Sequence, residues 1–224
     1  LYGILPMIIG RIYVTAGAII IGVPIGVLCA VFLARFCPKS LYKIFKPAVD
    51  LLAGIPSIVY GFFGLVVIVP AMQKMFGGSG KSVLTASVML GIMILPTIIS
   101  VSEAAIRAVP ESYYEGALAL GATHERSIYR TVLPAAKSGI TAGVILGIGR
   151  AIGEAMAVNM VAGNQAIIPT SIFSGVRTLT SNIVLEMGYA ADLHREALIA
   201  TSVVLFVFIL IINLLFSLVK KEKK

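Results

Sequence analysis

Two charged side chains, Arg150 and Glu154, interrupt the long apolar run at residues 138–162, and they stand four residues apart. On a helix that spacing puts both on one face, where they can pair. Charge at membrane depth is costly and usually points into a bundle or an aqueous path. Two readings follow. The pair is a structural lock between helices, or it lines a route for a substrate. An arginine fork can grip two oxygens of an anion at once. In the second reading Glu154 moderates that grip, or releases the anion by taking Arg150 back. Small residues surround the pair. Gly139, Gly143 and Gly147 recur every four positions, and Gly149 and Gly153 form a further pair. Such faces let another helix approach closely.

The second informative stretch is residues 112–136, SYYEGALALGATHERSIYRTVLPAA, a polar island in a very apolar chain. It reads as two short helices with a hinge. Ser112 precedes Glu115 by three residues, the spacing of a capping box. Pro110 lies just upstream, where proline is tolerated. Gly121 suits the left-handed position that ends a helix. Thr123 is the expected second N-cap, with Glu125 in the first turn facing the helix dipole. Pro134 is expected to stop the second helix. From pattern alone, an amphipathic loop between membrane spans is an equal reading of this stretch.

Other chemistry is excluded. GGSGKS at 77–82 looks like a phosphate-binding loop, but Met75 stands where that pattern requires glycine. It reads as a flexible turn. The two histidines are far apart and make no metal site, and Cys29 and Cys37 have no metal-like partners. No disulfide is inferred from them. The formal charge of +8 does not imply nucleic acid, because the positive residues cluster beside apolar spans.

The elements that must position these residues are membrane helices. Of the 224 residues 58% are hydrophobic and 12% charged, against about 25% charged in soluble domains. Mean hydropathy is +1.01. Five runs are long enough to span, at 12–34, 51–73, 82–102, 138–162 and 197–219. About 20 helical residues cross the hydrocarbon, and lipid leaves the backbone no other partners. The expected fold is an all-α, polytopic helical bundle forming a single domain over residues 1–224. The chain opens with Leu, so an upstream span is expected, making six.

Lysine and arginine set the orientation. Twelve of the 18 fall on the side holding residues 35–46, 107–137 and the tail; Arg11, Lys74, Lys81, Arg177 and Arg195 fall on the other. The richer side is cytoplasmic, which places the N-terminus of this chain outside and its C-terminus inside. The linker with Lys39, Lys43 and Lys46 reads as an interfacial helix, with Asp50 placed to neutralise one lysine. The second span is rich in Gly and Pro (Gly54, Pro56, Gly61, Gly64, Pro70), and Pro24 and Pro96 fall in the first and third. Residues 164–196 are too polar to span. They read as an outer loop with a short helix around 183–187, which caps the bundle or meets an outer partner. The KKEKK tail reads as an inner-surface anchor.

The spacing of Glu115, Ala117, Gly121, Leu133 and Pro134 resembles the EAA loop of ABC-type import permeases. Two positions depart from that pattern. Gly116 replaces the usual alanine, loosening the helix by about 1 kcal/mol, and Thr131 stands where isoleucine is common. Further phrases, LLAGIPSIVYGFFGLVVIVP, GIMILPTI, GRAIGEAMAVNMVAGN and TSNIVLEMGYA, extend the resemblance over nearly the whole chain. They are similar to the PstC-type permease of phosphate-specific ABC importers. The resemblance implies a type I importer fold. The cytoplasmic coupling hairpin would lie at about 103–137, with ATPase-coupling residues Glu115, Gly116, Ala117, Gly121, Leu133 and Pro134. Arg150 and Glu154 would line the substrate path. It implies no enzyme activity and no cofactor in this chain, because ATP and Mg would be bound by a partner. The implied partners are a second permease (PstA-type), an ATPase homodimer (PstB-type), an extracytoplasmic phosphate-binding protein (PstS-type) and membrane lipid. The residues also admit a proton-coupled secondary anion transporter, an importer of sulfate or molybdate, and a membrane scaffold.

Overall fold

The computed structural model describes residues 3–221. The tail's last three residues therefore lie outside it, as do the side chains of Lys220 and Lys221 and residues 1 and 2. The described residues form the helices α1 (Leu5–Val31), α2 (Lys39–Gly54), α3 (Ser57–Phe63), α4 (Val69–Phe76), α5 (Val83–Arg107), α6 (Glu111–Ala119), α7 (His124–Ser127), α8 (Leu133–Gly153), α9 (Met156–Val161), α10 (Leu179–Glu186) and α11 (Asp192–Lys221), with a non-helical segment at 162–178. Among the described residues, five helical stretches are long and apolar enough to cross a membrane: Leu5–Phe36, Ser57–Phe76, Val83–Arg107, His124–Gly153 and Asp192–Ile212. These are the five spans expected, with shifted ends.

The shifts have a local cause. Three π-turns, at Phe32–Phe36, Gly64–Ile68 and Ile128–Val132, each end two residues before a proline: Pro38, Pro70 and Pro134. In each, the residue just before the proline bonds five residues back: Cys37 to Phe32, Val69 to Gly64 and Leu133 to Ile128. Proline has no N–H, and its ring collides with the carbonyl four residues back. Widening the turn by one residue carries that carbonyl aside. Pro134 therefore does not stop its helix, as the sequence led us to expect. Helical structure runs from His124 to Gly153. The second span also starts later than expected. Pro56 is in extended conformation at the N-cap of α3, and it ends α2 at Gly54 because the residue before proline disfavours helix. Asp50 thus belongs to α2, where it pairs with Lys46 at 3.0 Å.

Two compact units are formed, and α1, α5 and α8 contribute residues to both. The first comprises 3–22, Ile55–Ile94 and 148–221. Its core holds Val14, Ala18, Met89, Leu90, Met93, Ile152 and Val158. Here α3 lies against α9, because a Cβ on Gly61 would come within 2.9 Å of the Ala157 backbone. The GGSGKS turn between α4 and α5 uses positive φ at Gly77, Gly78 and Gly80. The second unit comprises Val23–Gly54 and Leu95–Gly147. In it Gly139 packs on Ala105, and Gly143 packs on Val101 and Ser102, so the expected glycine face is used by α5. Gly149 and Gly153 face no neighbour among the described residues. Helix α2 buries none of its residues and exposes Leu41, Ile44, Phe45 and Leu51, the pattern of an interfacial helix.

Candidate functional site

The polar hairpin belongs to the second unit. Helix α6 begins at Glu111 with Pro110 as N-cap, and no side chain caps it. The expected Ser112–Glu115 capping box is therefore absent, because Pro110 moves the start upstream and leaves Ser112 inside the helix. Gly121 takes the expected left-handed conformation at φ 82°. Its N–H bonds Leu118 O at 2.8 Å and the Ala122 N–H bonds Ala117 O at 3.1 Å, the two bonds of a Schellman motif. Thr123 Oγ1 accepts from Arg126 N, as expected of an N-cap. Across the hinge, Tyr114 Oη and His124 Nδ1 lie 2.8 Å apart, and Phe36 meets the His124 ring edge-on.

The base of this hairpin is a packed cluster. Ile128, Val132 and Ala136 bury against Ala30, Val31, Ile106 and Val109, with Leu133 half-buried beside them. Its tip is free of such packing. Glu115, Gly116 and Pro134 are exposed and Ala117 is half-buried. Leu120 is 91% exposed. A depression of about 350 Å³ lies between Ala117, Leu120, Gly121, Arg126, Arg130 and Thr131. Of the six hairpin residues singled out in the sequence, Glu115, Gly116 and Ala117 lie on α6, Gly121 in the turn, and Leu133 and Pro134 at the start of α8, all within the second unit.

A charged network ties α2 and α1 to the start of this hairpin. The Glu103 carboxylate is 2% exposed. It accepts from Tyr42 Oη at 2.7 Å and Arg107 Nε at 2.6 Å, and it lies 3.3 Å from Lys46 Nζ. Arg107 also donates to Leu33 O at 2.8 Å and stacks over the Tyr42 ring. Arg35 bridges to Glu111 at 2.9 Å. The hydrogen bond to Glu103 pushes the Tyr42 hydroxyl above its ordinary range. Burial draws Lys46 down, but Asp50 and Glu103 outweigh it and hold the ammonium above the ordinary 10.5. That contribution is present below the ordinary value and is lost as pH rises through the elevated one. Sequence reading missed Glu103, whose partners lie as far as 61 residues away. Glu103→Leu takes the buried carboxylate from Lys46 and Arg107, of which Lys46 keeps Asp50 and Arg107 keeps Leu33 O. Removing one partner of a well-buried pair costs 3–5 kcal/mol, and the part exposure of Lys46 and Arg107 reduces this. We expect a loss of about 2 kcal/mol, read as a Tm lower by about 4–8 °C in detergent. An unchanged Tm would show that the network does not stabilise the chain.

The intramembrane charges belong to the first unit. Helix α8 ends at Gly153, so Glu154 lies in a break before α9 and not on a continuous helix with Arg150. The i, i+4 geometry expected of the pair is lost there. Glu154 Oε1 instead accepts from Ala157 N at 3.0 Å, closing the start of α9. Arg150, in the last turn of α8, is half-buried, and Tyr60 of α3 is buried.

A third charge stands with them. Arg11 was expected to flank the first span, but it lies within α1 and is 0% exposed. Its Nη1 donates to Glu154 O at 2.8 Å and Thr180 Oγ1 at 3.2 Å, and its Nη2 donates to Ala151 O at 3.1 Å. Apolar residues lie on both sides of it, LPMIIG before and IYV after, but they do not tell an arginine at a span end from one buried in the bundle. In the polar segment at 164–196, Arg177 pairs with Glu186 at 3.0 Å and donates to Asn164 O.

Five helical stretches long and apolar enough to cross a membrane, with a polar hairpin exposed at its tip, describe a multi-pass membrane protein. A family model described as binding-protein-dependent transport system inner membrane component matches residues 22–224, and the chain belongs to that family. It is 42% identical over 223 residues to the probable ABC transporter permease protein YqgH of Bacillus subtilis, covering 96% of this chain and 72% of that one. It is 38% identical over 232 residues to the phosphate transport system permease protein PstC of Mesorhizobium japonicum, covering 94% and 71%. The fold is similar to that of a chain of the MetNI methionine ABC transporter in inward facing conformation, with TM-score 0.73 and 20% identity over 95% of this chain and 94% of that one. A chain of the bacterial alginate ABC transporter gives TM-score 0.70 at 17% identity, covering 95% and 76%. The PstC-type resemblance read from the sequence holds, as does the type I permease fold. The chain is a multi-pass, non-catalytic permease subunit, and the ATPase of such a system is a separate protein.

Proposed function

We propose that this chain forms half of the membrane path of an ATP-driven phosphate importer. The observation that carries this reading is its identity with phosphate transport system permease proteins along nearly its whole length. A second, PstA-type permease completes the path. A PstB-type ATPase homodimer holds ATP and Mg, and a PstS-type protein delivers phosphate on the outer side. The tip of α6, with Glu115, Gly116, Ala117 and Gly121, docks on the ATPase. Leu133 and Pro134 join that tip to the span, so ATP-driven closure of the ATPase pulls on a packed element and not on a loose loop. Arg150 meets the anion within the membrane, because its guanidinium matches two phosphate oxygens, and Glu154 limits how tightly the anion is held. The hairpin and C-terminus face the cytoplasm. With Arg11 moved into a span, the charge asymmetry that supports this orientation grows.

The test is reconstitution in liposomes, with labelled phosphate and each component left out in turn. The proposal expects uptake only with ATP and all partners. Uptake by this chain alone, driven by a pH gradient and indifferent to ATP, would overturn it in favour of a secondary transporter. ATP-driven uptake of sulfate or molybdate in place of phosphate would keep the machine and correct the substrate.

A further inference from the structure

The break between α8 and α9 poses a physical problem. Ending α8 at Gly153 leaves backbone carbonyls of its last turn without intrahelical partners, and where they are buried they need another donor. A carbonyl left so costs several kcal/mol. Arg11 is the group that meets this need. One nitrogen takes Glu154 O, the other takes Ala151 O, and Thr180 Oγ1 adds a second donor to Glu154 O at 3.0 Å. Thr180 is itself held by Thr178 at 3.1 Å. The clamp draws on three places far apart in sequence, since Arg11 lies 143 residues from Glu154 and 169 from Thr180.

The clamp has a consequence for Glu154. Its carbonyl is pinned by Arg11 and Thr180, while its carboxylate is pinned by the Ala157 N–H at the start of α9. A residue held at both its backbone and its side chain has one position. Arg150, in the last turn of α8, depends on the same turn for its own placement. An apolar side chain of equal size would fill the space but supply no donor. Losing Arg11 alone would leave the Glu154 and Ala151 carbonyls short of these donors, so its cost falls on the break and not on filled volume.

We infer that Arg11 is a positioning residue of the transport path: it fixes the α8–α9 break, and through it Glu154, without touching the anion. The role in transport rests on the function proposed above; the role in fixing the break does not.

The test uses the assembled transporter with Arg11→Lys, Arg11→Met and Thr180→Val. Hydrogen exchange is followed at residues 151–158 and, as an internal reference, at 86–94 in α5. ATP hydrolysis and labelled phosphate uptake are measured on the same preparations. Arg11→Met is expected to speed exchange at 153–157 at least tenfold while the α5 reference stays unchanged. Phosphate moved per ATP falls at least tenfold, and the ATPase rate stays within twofold. Arg11→Lys falls between, because an ammonium is a point charge and cannot fork to two carbonyls. Thr180→Val, which removes one donor, gives about a threefold change in exchange. Unchanged exchange and unchanged transport per ATP in Arg11→Met would overturn the inference. So would a uniform rise in exchange across both segments with parallel loss of ATPase and uptake, the mark of a purely structural residue. Localised exchange in a transporter that moves another anion would retain the clamp and refute the phosphate reading alone.

Discussion

Charge reversal at Glu115 is expected to lower ATP-driven uptake about 100-fold while leaving the chain folded. The side chain is exposed at the tip of a hairpin whose base is packed. Substitution of an exposed residue away from such packing changes stability little, so Glu115→Arg inserts and purifies as the native chain does. Its effect falls on whatever the tip meets. The surroundings already carry Arg126 and Arg130. Reversing Glu115 adds a cation beside Arg126 and Arg130 where a docking partner would have met a carboxylate, and a like-charge juxtaposition at an interface costs several kcal/mol. That is enough for a 100-fold loss of docking. The measurements are co-purification with the ATPase and uptake per ATP in liposomes. Unimpaired uptake by Glu115→Arg would remove Glu115 from the coupling surface.

Arg150→Gln is expected to cost transport about 10- to 100-fold, because hydrogen bonds to a charged group contribute about 1.5–3 kcal/mol. Arg150→Lys keeps the charge but loses the planar fork, and we expect a smaller loss. The comparison separates a point-charge requirement from a geometric one. Assembly with the ATPase is to be checked in parallel by size-exclusion chromatography. Equal uptake by wild type, Arg150→Gln and Glu154→Gln, all correctly assembled, would exclude the substrate-route reading and leave the structural one.

The hairpin and the clamp differ in how far they were legible beforehand. Gly121 and Thr123 behaved as expected because a Schellman closure and an N-cap are built from residues within five positions of each other. Hydrophobic runs marked the five spans for a similar reason, since each helix satisfies its own backbone. The misreadings near Ser112 and Pro134 were also local, and both involve proline. Pro110 caps α6 two residues ahead of the expected N-cap, Ser112, and a π-turn lets Pro134 remain within a helix.

The sequence by itself determined a polytopic helical membrane protein, its family, its hinge and its two most suspect charges. Each of these is carried by hydropathy or by bonds between near neighbours. Tertiary structure alone decided that Arg11 is buried, that Glu154 stands in a break capping α9, and that Glu103 gathers Tyr42, Lys46 and Arg107. Charge type and order along the chain cannot distinguish an arginine that flanks a span from one that closes another helix's carbonyls. That choice depends on which helix end comes to rest against it, and the packing that brings Ala151 and Thr180 to Arg11 acts across more than half the chain.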